Sequence, residues 1–196
     1  MAAKELKNIF LSASIPFKER DPKYFDTSDV IAIRDSVIAL ASVVLPNHRL
    51  IWGGHPSITP IVYFVMEKLK LNIQEHVVLY QSKYFEHLFP EDNNRFQNVI
   101  LTDNLGDKKN SLYHMRTRML TENEFAAAVF IGGMEGVQDE FNLFKEFYPN
   151  ALLLPIASTG AAANMIYKSS ASNYDITLLN DYAYSALFKS LLKNIL

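Results

Sequence analysis

Apolar residues along this chain fall into six short runs, separated by stretches whose apolar positions recur at helical spacing. The runs are Ile9-Phe10-Leu11, Leu50-Ile51-Trp52, Val77-Val78-Leu79-Tyr80, Val99-Ile100-Leu101, Phe125-Ala126-Ala127-Ala128-Val129-Phe130-Ile131 and Leu152-Leu153-Leu154-Pro155-Ile156. Continuous apolar runs of this length predict strands buried on both faces. Helical patterns are expected at about 28–45, 58–70, 109–122, 136–147, 159–168 and 177–194. Strand alternating with helix throughout predicts an α/β fold, doubly wound and Rossmann-like, with a mostly parallel sheet and helices on both faces. A C-terminal helical segment, about 174–196, carries apolar positions from Ile176 to Ile195 that predict one or two amphipathic helices. They pack on the sheet or form an oligomer interface. No repeat or low-complexity tract divides the chain, so residues 1–196 are read as one domain.

In such sheets ligands bind beyond the carboxyl ends of the strands, where the strand order reverses. The loops expected there are small, hydroxyl-bearing or glycine-rich. Ser12, Ala13 and Ser14 follow the first strand, Gly53, Gly54 and His55 the second, Gln81 and Ser82 the third. Gly132-Gly133-Met134-Glu135-Gly136 follows the alanine-rich strand, and Ser158-Thr159-Gly160 the last. A glycine turn between strand and helix lets backbone N–H groups approach a phosphate, and the helix N-terminus adds partial positive charge. Such a turn also serves plain βα packing, and both readings stand on the residues alone. Hydroxyls in the first and last loops can hold phosphate or ribose, or cap their own turns. Arg20, Asp21 and Tyr24 form either part of a lid or a surface ion pair. Aromatic residues near the crevice, Tyr80, Phe85 and Tyr113, are candidates for stacking on a purine.

Composition narrows the chemistry. The chain has 196 residues, 49% of them apolar and 20% charged, which suits a globular fold and excludes disorder. It has no cysteine, which removes disulfides, thiolate nucleophiles and Cys-based metal sites. The five histidines have no paired spacing, so no metal site is expected and His55 is read as a hydrogen-bonding group. A net charge of −2 gives no electrostatic case for nucleic acid. No run approaches the roughly 20 apolar residues that span a bilayer, and no signal peptide is visible. A cytoplasmic protein is expected, with no membrane contact.

Arg116 changes the weighting of the glycine turn. It lies sixteen residues before Gly132, and a strand, the glycine turn and Glu140 follow it. This order resembles the SLOG superfamily, named for the Smf/DprA proteins and the LOG cytokinin-activating phosphoribohydrolases. LOG enzymes carry an arginine, a strand, then Pro-Gly-Gly-x-Gly-Thr-x-x-Glu. Gly132, Gly133 and Gly136 match the turn, Arg116 falls at the family's catalytic arginine, and Glu140 stands at its glutamate. The opening Ile9–Pro16, the turn Trp52-Gly53-Gly54-His55-Pro56 and the segment Pro155–Ala161 look like SLOG proteins of prokaryotic conflict systems. That branch is associated with TIR domains and with sensing NAD-derived nucleotides. Three residues depart from the LOG pattern. Ile131 replaces the proline, Val137 the threonine, and Glu135 is inserted. They weaken the hydrolase reading more than the nucleotide-binding one.

The resemblance implies a module sensing an NAD-derived or related nucleotide in an anti-phage context, with no required cofactor. The ligand expected is ADP-ribose-like or a nucleoside monophosphate. The alternative is a LOG-like N-glycosidic hydrolase in which Glu140 and Arg116 are catalytic. A chain of this size is expected to act through a TIR-domain or other effector partner, or as a homo-oligomer. Ligand contacts are expected from Ser12, Ala13, Ser14, Gly53, Gly54, His55, Arg116, Gly132, Gly133, Met134, Glu135, Gly136, Glu140, Ser158, Thr159 and Gly160. Arg116 and Glu140 are expected to converge on one pocket, Arg116 on phosphate and Glu140 on ribose, with little cost to stability if that pocket is open and solvated.

Overall fold

The computed structural model describes residues 6–69 and 74–195. Six strands form one sheet: β1 (Asn8–Ser14), β2 (Arg49–Trp52), β3 (Val77–Ser82), β4 (Val99–Thr102), β5 (Phe125–Gly132) and β6 (Leu152–Ile156). Their order is β4-β3-β2-β1-β5-β6, and every pairing is parallel. The order runs outward from β1 in one direction and resumes at β5 in the other. The switch point therefore lies between β1 and β5.

Alternation along the strands builds two cores. Ile9 and Leu11 of β1 and Ala127, Val129 and Ile131 of β5 face one layer. That layer holds α2 (Val30–Val44), α3 (Thr59–Leu69) and α8 (Tyr184–Leu191). Phe10, Ala128 and Phe130 face the other. There α4 (Lys108–Thr121), α5 (Glu135–Phe147) and α6 (Ala161–Ser169) pack. Both faces are covered, which is why the strands read as unbroken apolar runs. On the second face Phe10 stacks on Phe144 with centroids 5.3 Å apart, and Phe130 meets Phe141 edge-on at 5.2 Å. The small side chain of Ala128 beside them leaves room for these α5 rings.

Helix boundaries follow local chemistry. Asp29 caps α2 by accepting from the Ala32 N–H at 2.9 Å, so the helix expected from residue 28 begins at Val30. The pattern expected at 177–194 is two helices, α7 (Thr177–Asn180) and α8. Between them the Asp181 carboxylate accepts from the Ala183 N–H at 2.7 Å, and that local bond competes with helix. Three further elements carry no apolar periodicity: α1 (Pro22–Phe25) and the 3-10 turns of Lys83–Leu88 and Glu91–Arg95. Residue 70, in the expected helix 58–70, lies outside the described residues. Among the described residues no helix is long and apolar enough to cross a membrane.

Gly160 fixes where α6 starts. Its φ of +72° with ψ of −157° is a conformation that only glycine adopts readily, and a Cβ there would lie 1.8 Å from the Thr27 carbonyl oxygen. Gly160→Ala should therefore destabilise the fold by about 2 kcal/mol or more in urea denaturation. A variant as stable as the parent would show that the turn relaxes freely.

Candidate functional site

The carboxyl ends of β1, β2, β3 and β5 open onto a cleft of about 500 Å³, within the range of small-molecule sites. One side is built around the N-terminus of α5. Gly132 (φ +55°) and Gly133 (φ +84°) turn the chain out of β5 in the left-handed region. A Cβ on Gly132 would meet Ile33 Cδ1 at 2.4 Å, and one on Gly133 would meet Val137 Cγ2 at 2.2 Å. The Gly133 N–H donates to the Ser14 carbonyl at 2.8 Å, and the Gly132 N–H to Thr159 Oγ1 at 2.8 Å. Met134 then opens α5 without a side-chain cap. The first N–H groups of a helix have no intrahelical partner, and Glu135 and Gly136 line the cleft here, while the Val137 N–H donates to the Met134 carbonyl at 3.0 Å.

The carboxylate of Glu135 does not stand unopposed at this anion-favouring end. It is hydrogen-bonded and ion-paired to Arg20, from the loop after β1, and both side chains are about half exposed. As the first residue of α5 it also complements the helix dipole. The inserted residue thus fastens the β1 loop to α5 across the cleft mouth.

Arg116 and Glu140 do converge. Arg116 Nε donates to Glu140 Oε1 at 3.1 Å, Nη1 to Asp139 Oδ2 at 3.3 Å, and Nη2 to the Gly136 carbonyl at 3.1 Å. Ser12 Oγ donates to the second oxygen, Glu140 Oε2, at 2.5 Å. The two side chains are only 10% and 14% exposed, so the pair is largely dry. The expectation of an open, solvated pair with little bearing on stability is corrected: every nitrogen of the guanidinium has a protein acceptor. Gly136 helps to make this possible, since a Cβ there would lie 3.1 Å from Arg116 Nη2, while a Cβ on Gly53 would meet Met115 Cε at 3.0 Å.

His55 is held as a neutral donor. Its Nδ1 accepts from the Ser57 N–H at 3.2 Å and lies 2.7 Å from Ser57 Oγ, which itself accepts from the Ile15 N–H. With Nδ1 an acceptor, the proton sits on Nε2. Burial, reinforced by the nearby Arg20 charge, pulls the His55 pKa down to about 4. The imidazole therefore stays uncharged at neutral pH.

The opposite side of the cleft is apolar. Trp52, Phe85, Leu88, Phe89, Pro90, Leu112 and Met115 line it. Most come from the 3-10 segment after β3 and from α4. Of the expected ligand residues, Ala13, Ser14, Gly53, Gly54, His55, Arg116, Met134, Glu135, Gly136 and Glu140 line the cleft. Six others do not. Ser12 lies behind Glu140, and Gly132 and Gly133 form the turn's buried base. Thr159 Oγ1 is spent on the Ile156 carbonyl at 2.5 Å and on the Gly132 N–H. Ser158 bonds the Tyr184 hydroxyl at 3.1 Å, and Gly160 packs on Thr27. These residues support the glycine turn from beneath. Tyr80 faces Glu122 and Asn123 and Tyr113 faces solvent, which leaves Phe85 as the cleft aromatic among the three. Lys108 and Lys109, which no motif in the sequence singles out, also line the cleft, and only folding brings them there.

Fold and crevice together define a doubly wound, Rossmann-like α/β protein with an open site at its switch point. A model of the SLOG cluster 3 family matches residues 23–192, and the chain belongs to that family. The X-ray structure of TM1055, a Northeast Structural Genomics Consortium target, aligns over 83% of this chain and 81% of that chain. Its TM-score is 0.54 and its identity 14%, a likeness of fold. No curated protein matches the chain. Membership of the SLOG family supports a nucleotide-related function.

Two outcomes follow from the site's electrostatics. Arg116→Ala should cost on the order of 3 kcal/mol in chemical denaturation, because it leaves Glu140 buried without its partner; a loss below ~1 kcal/mol would mean that water replaces the guanidinium. His55 has a folded pKa below its unfolded value of about 6.5, so the unfolded chain binds more protons between those pH values. Its contribution to stability is whole above pH ~6.5 and is lost as pH falls toward ~4. His55→Asn should flatten stability against pH in that window, and an unchanged slope would contradict the buried neutral ring.

Proposed function

We propose that the cleft binds an NAD-derived or related signalling nucleotide and that the protein acts as its sensor. One observation carries this reading: a single open cleft has an uncapped helix N-terminus along one side and an apolar, aromatic wall along the other. A nucleotide has the same division, with anionic phosphate at one end and a flat base at the other. Between them, Ser14 and the His55 Nε2–H offer hydrogen bonds suited to ribose or phosphate oxygens. SLOG membership supports the nucleotide class. The conflict-system resemblance supports an anti-phage setting in the cytoplasm, with output through a TIR-domain or other effector partner, or through a homo-oligomer.

N-glycosidic hydrolysis is the second reading, favoured by the position of Glu140. Its carboxylate lies in the cleft wall, oriented by Ser12 and Arg116, where it can face a sugar. There it would stabilise positive charge developing at the anomeric carbon or orient the attacking water, which replaces the departing base. Both of its oxygens already hold protein hydrogen bonds, and three of the five N–H groups of Arg116 are spent on protein acceptors. That arrangement favours binding over turnover.

Thermal shift and calorimetry with ADP-ribose, cyclic ADP-ribose isomers and NAD should show saturable binding of at least one of them. Ligand at 100 times its dissociation constant stabilises by about 2.7 kcal/mol, well within detection. Folded protein that responds to none of them would defeat the sensor reading. Release of base from AMP, cytokinin nucleotides or NAD, abolished in a folded Glu140→Gln variant, would establish the hydrolase instead.

A further inference from the structure

Gln81 is a buried amide that the fold leaves open to the cleft. It stands near the end of β3, is 6% exposed and lines the cleft wall. Its backbone carbonyl accepts from Thr102 Oγ1 at 3.5 Å, but its side-chain amide has no hydrogen-bond partner among the described residues. The residue as a whole is buried while its amide faces the cleft, so a ligand there meets a donor and an acceptor that no protein group has taken.

The surrounding backbone is shaped to admit this amide. Gly54 has a φ of +60°, and a Cβ there would lie 2.2 Å from Gln81 Nε2 and 2.7 Å from its Cδ. Gly54 thus makes room for the amide, and its neighbour Gly53 lies beside Glu140, whose Oε1 would be 3.7 Å from a Cβ there. Adjacent Cα atoms are about 3.8 Å apart, so these consecutive glycines bring Gln81 and Glu140 to neighbouring stations along one wall. A sugar beside Glu140 would direct its base toward Gln81. The apolar side chains of Phe85, Leu88 and Phe89 follow immediately in the chain and supply a surface for a flat ring.

Resting on the nucleotide reading above, we infer that Gln81 is the base-reading residue of this cleft. It selects ligands that carry an N–H donor directly beside an acceptor. A carboxamide offers one donor and one acceptor side by side, and pairs in two parallel hydrogen bonds with a matching edge. The amino edge of adenine presents that pair, and so does the carboxamide of nicotinamide. Glu140 and the helix N-terminus hold parts common to all nucleotides, so discrimination between bases falls to Gln81. A base lacking the donor would leave the buried carbonyl oxygen of Gln81 unpaired, and that penalty is the source of selectivity.

The test is calorimetry on the full chain with matched ligand pairs. AMP and ADP-ribose are each compared with the analogue in which unsubstituted purine replaces adenine. Nicotinamide mononucleotide is compared with nicotinic acid mononucleotide, so that the two sources of the edge are told apart. The parent protein should prefer the donor-bearing member of at least one pair by about tenfold or more, the loss expected for one unmade hydrogen bond. Gln81→Met, close to glutamine in length and apolar, should erase that preference while retaining the weaker binding of the analogue. Gln81→Leu, which likewise removes both amide atoms, covers the case in which the first variant does not fold. A preference that survives in a folded Gln81 variant, or a parent protein that binds both members of every pair equally, would overturn the assignment and leave nucleotide binding standing. A parent protein that binds none of the six ligands would overturn the nucleotide reading and this one with it.

Discussion

The buried pair of Arg116 and Glu140 is the constraint around which the site is arranged. Neither charge can stay in so dry a position unless its hydrogen-bonding capacity is met, and the structure meets it from three directions. Ser12 on β1 takes one carboxylate oxygen and Arg116 on α4 takes the other. Asp139 and the Gly136 carbonyl on α5 give the guanidinium two further acceptors. The pair thereby locks the first turns of α5 against the end of β1 and the middle of α4. At Gly136 a side chain would press on the guanidinium, since a Cβ there would lie 3.1 Å from Arg116 Nη2.

With that pair in place, the cleft acquires two ends of opposite character. Four cationic side chains, Arg20, Lys108, Lys109 and Arg116, line it against three carboxylates, Glu135, Asp139 and Glu140. Arg20 is engaged by Glu135, and Arg116 by Asp139 and Glu140. Lys108 and Lys109 have no ion pair among the described residues, so the surplus in the cleft is positive although the whole chain carries a net charge of −2. A local field of that sign draws anionic ligands even to an acidic protein. The apolar wall sits at the β3 side of the cleft and the anion-favouring turn at the β5 side.

Much of the architecture was legible in the residues because its causes are local. Strands buried on both faces must be apolar at every position, and six such runs stood out between helical patterns. The Gly132–Gly136 turn was legible for the same reason, since left-handed backbone between strand and helix calls for glycine. The last loop, expected among the ligand contacts, does not line the cleft. Ser158, Thr159 and Gly160 have the composition of a phosphate loop, yet β6 lies at the sheet edge beyond β5, where they meet the back of the glycine turn. Gln81 drew notice only as part of a loop, because one glutamine in a strand carries no periodic signal.

By itself the sequence determined the class of the fold, the strands and the βα turn that opens α5, because patterning and glycine chemistry act within a few residues. Tertiary structure alone decided the rest. It paired Arg116 with Glu140 instead of leaving either free, placed Arg20 on Glu135, and enclosed His55 far enough to keep its imidazole neutral. It also folded the unpatterned segment after β3 into an apolar wall. Each outcome depends on groups far apart in the chain sharing a low-dielectric space, and desolvation and pairing there follow from three-dimensional proximity, which composition and spacing do not encode.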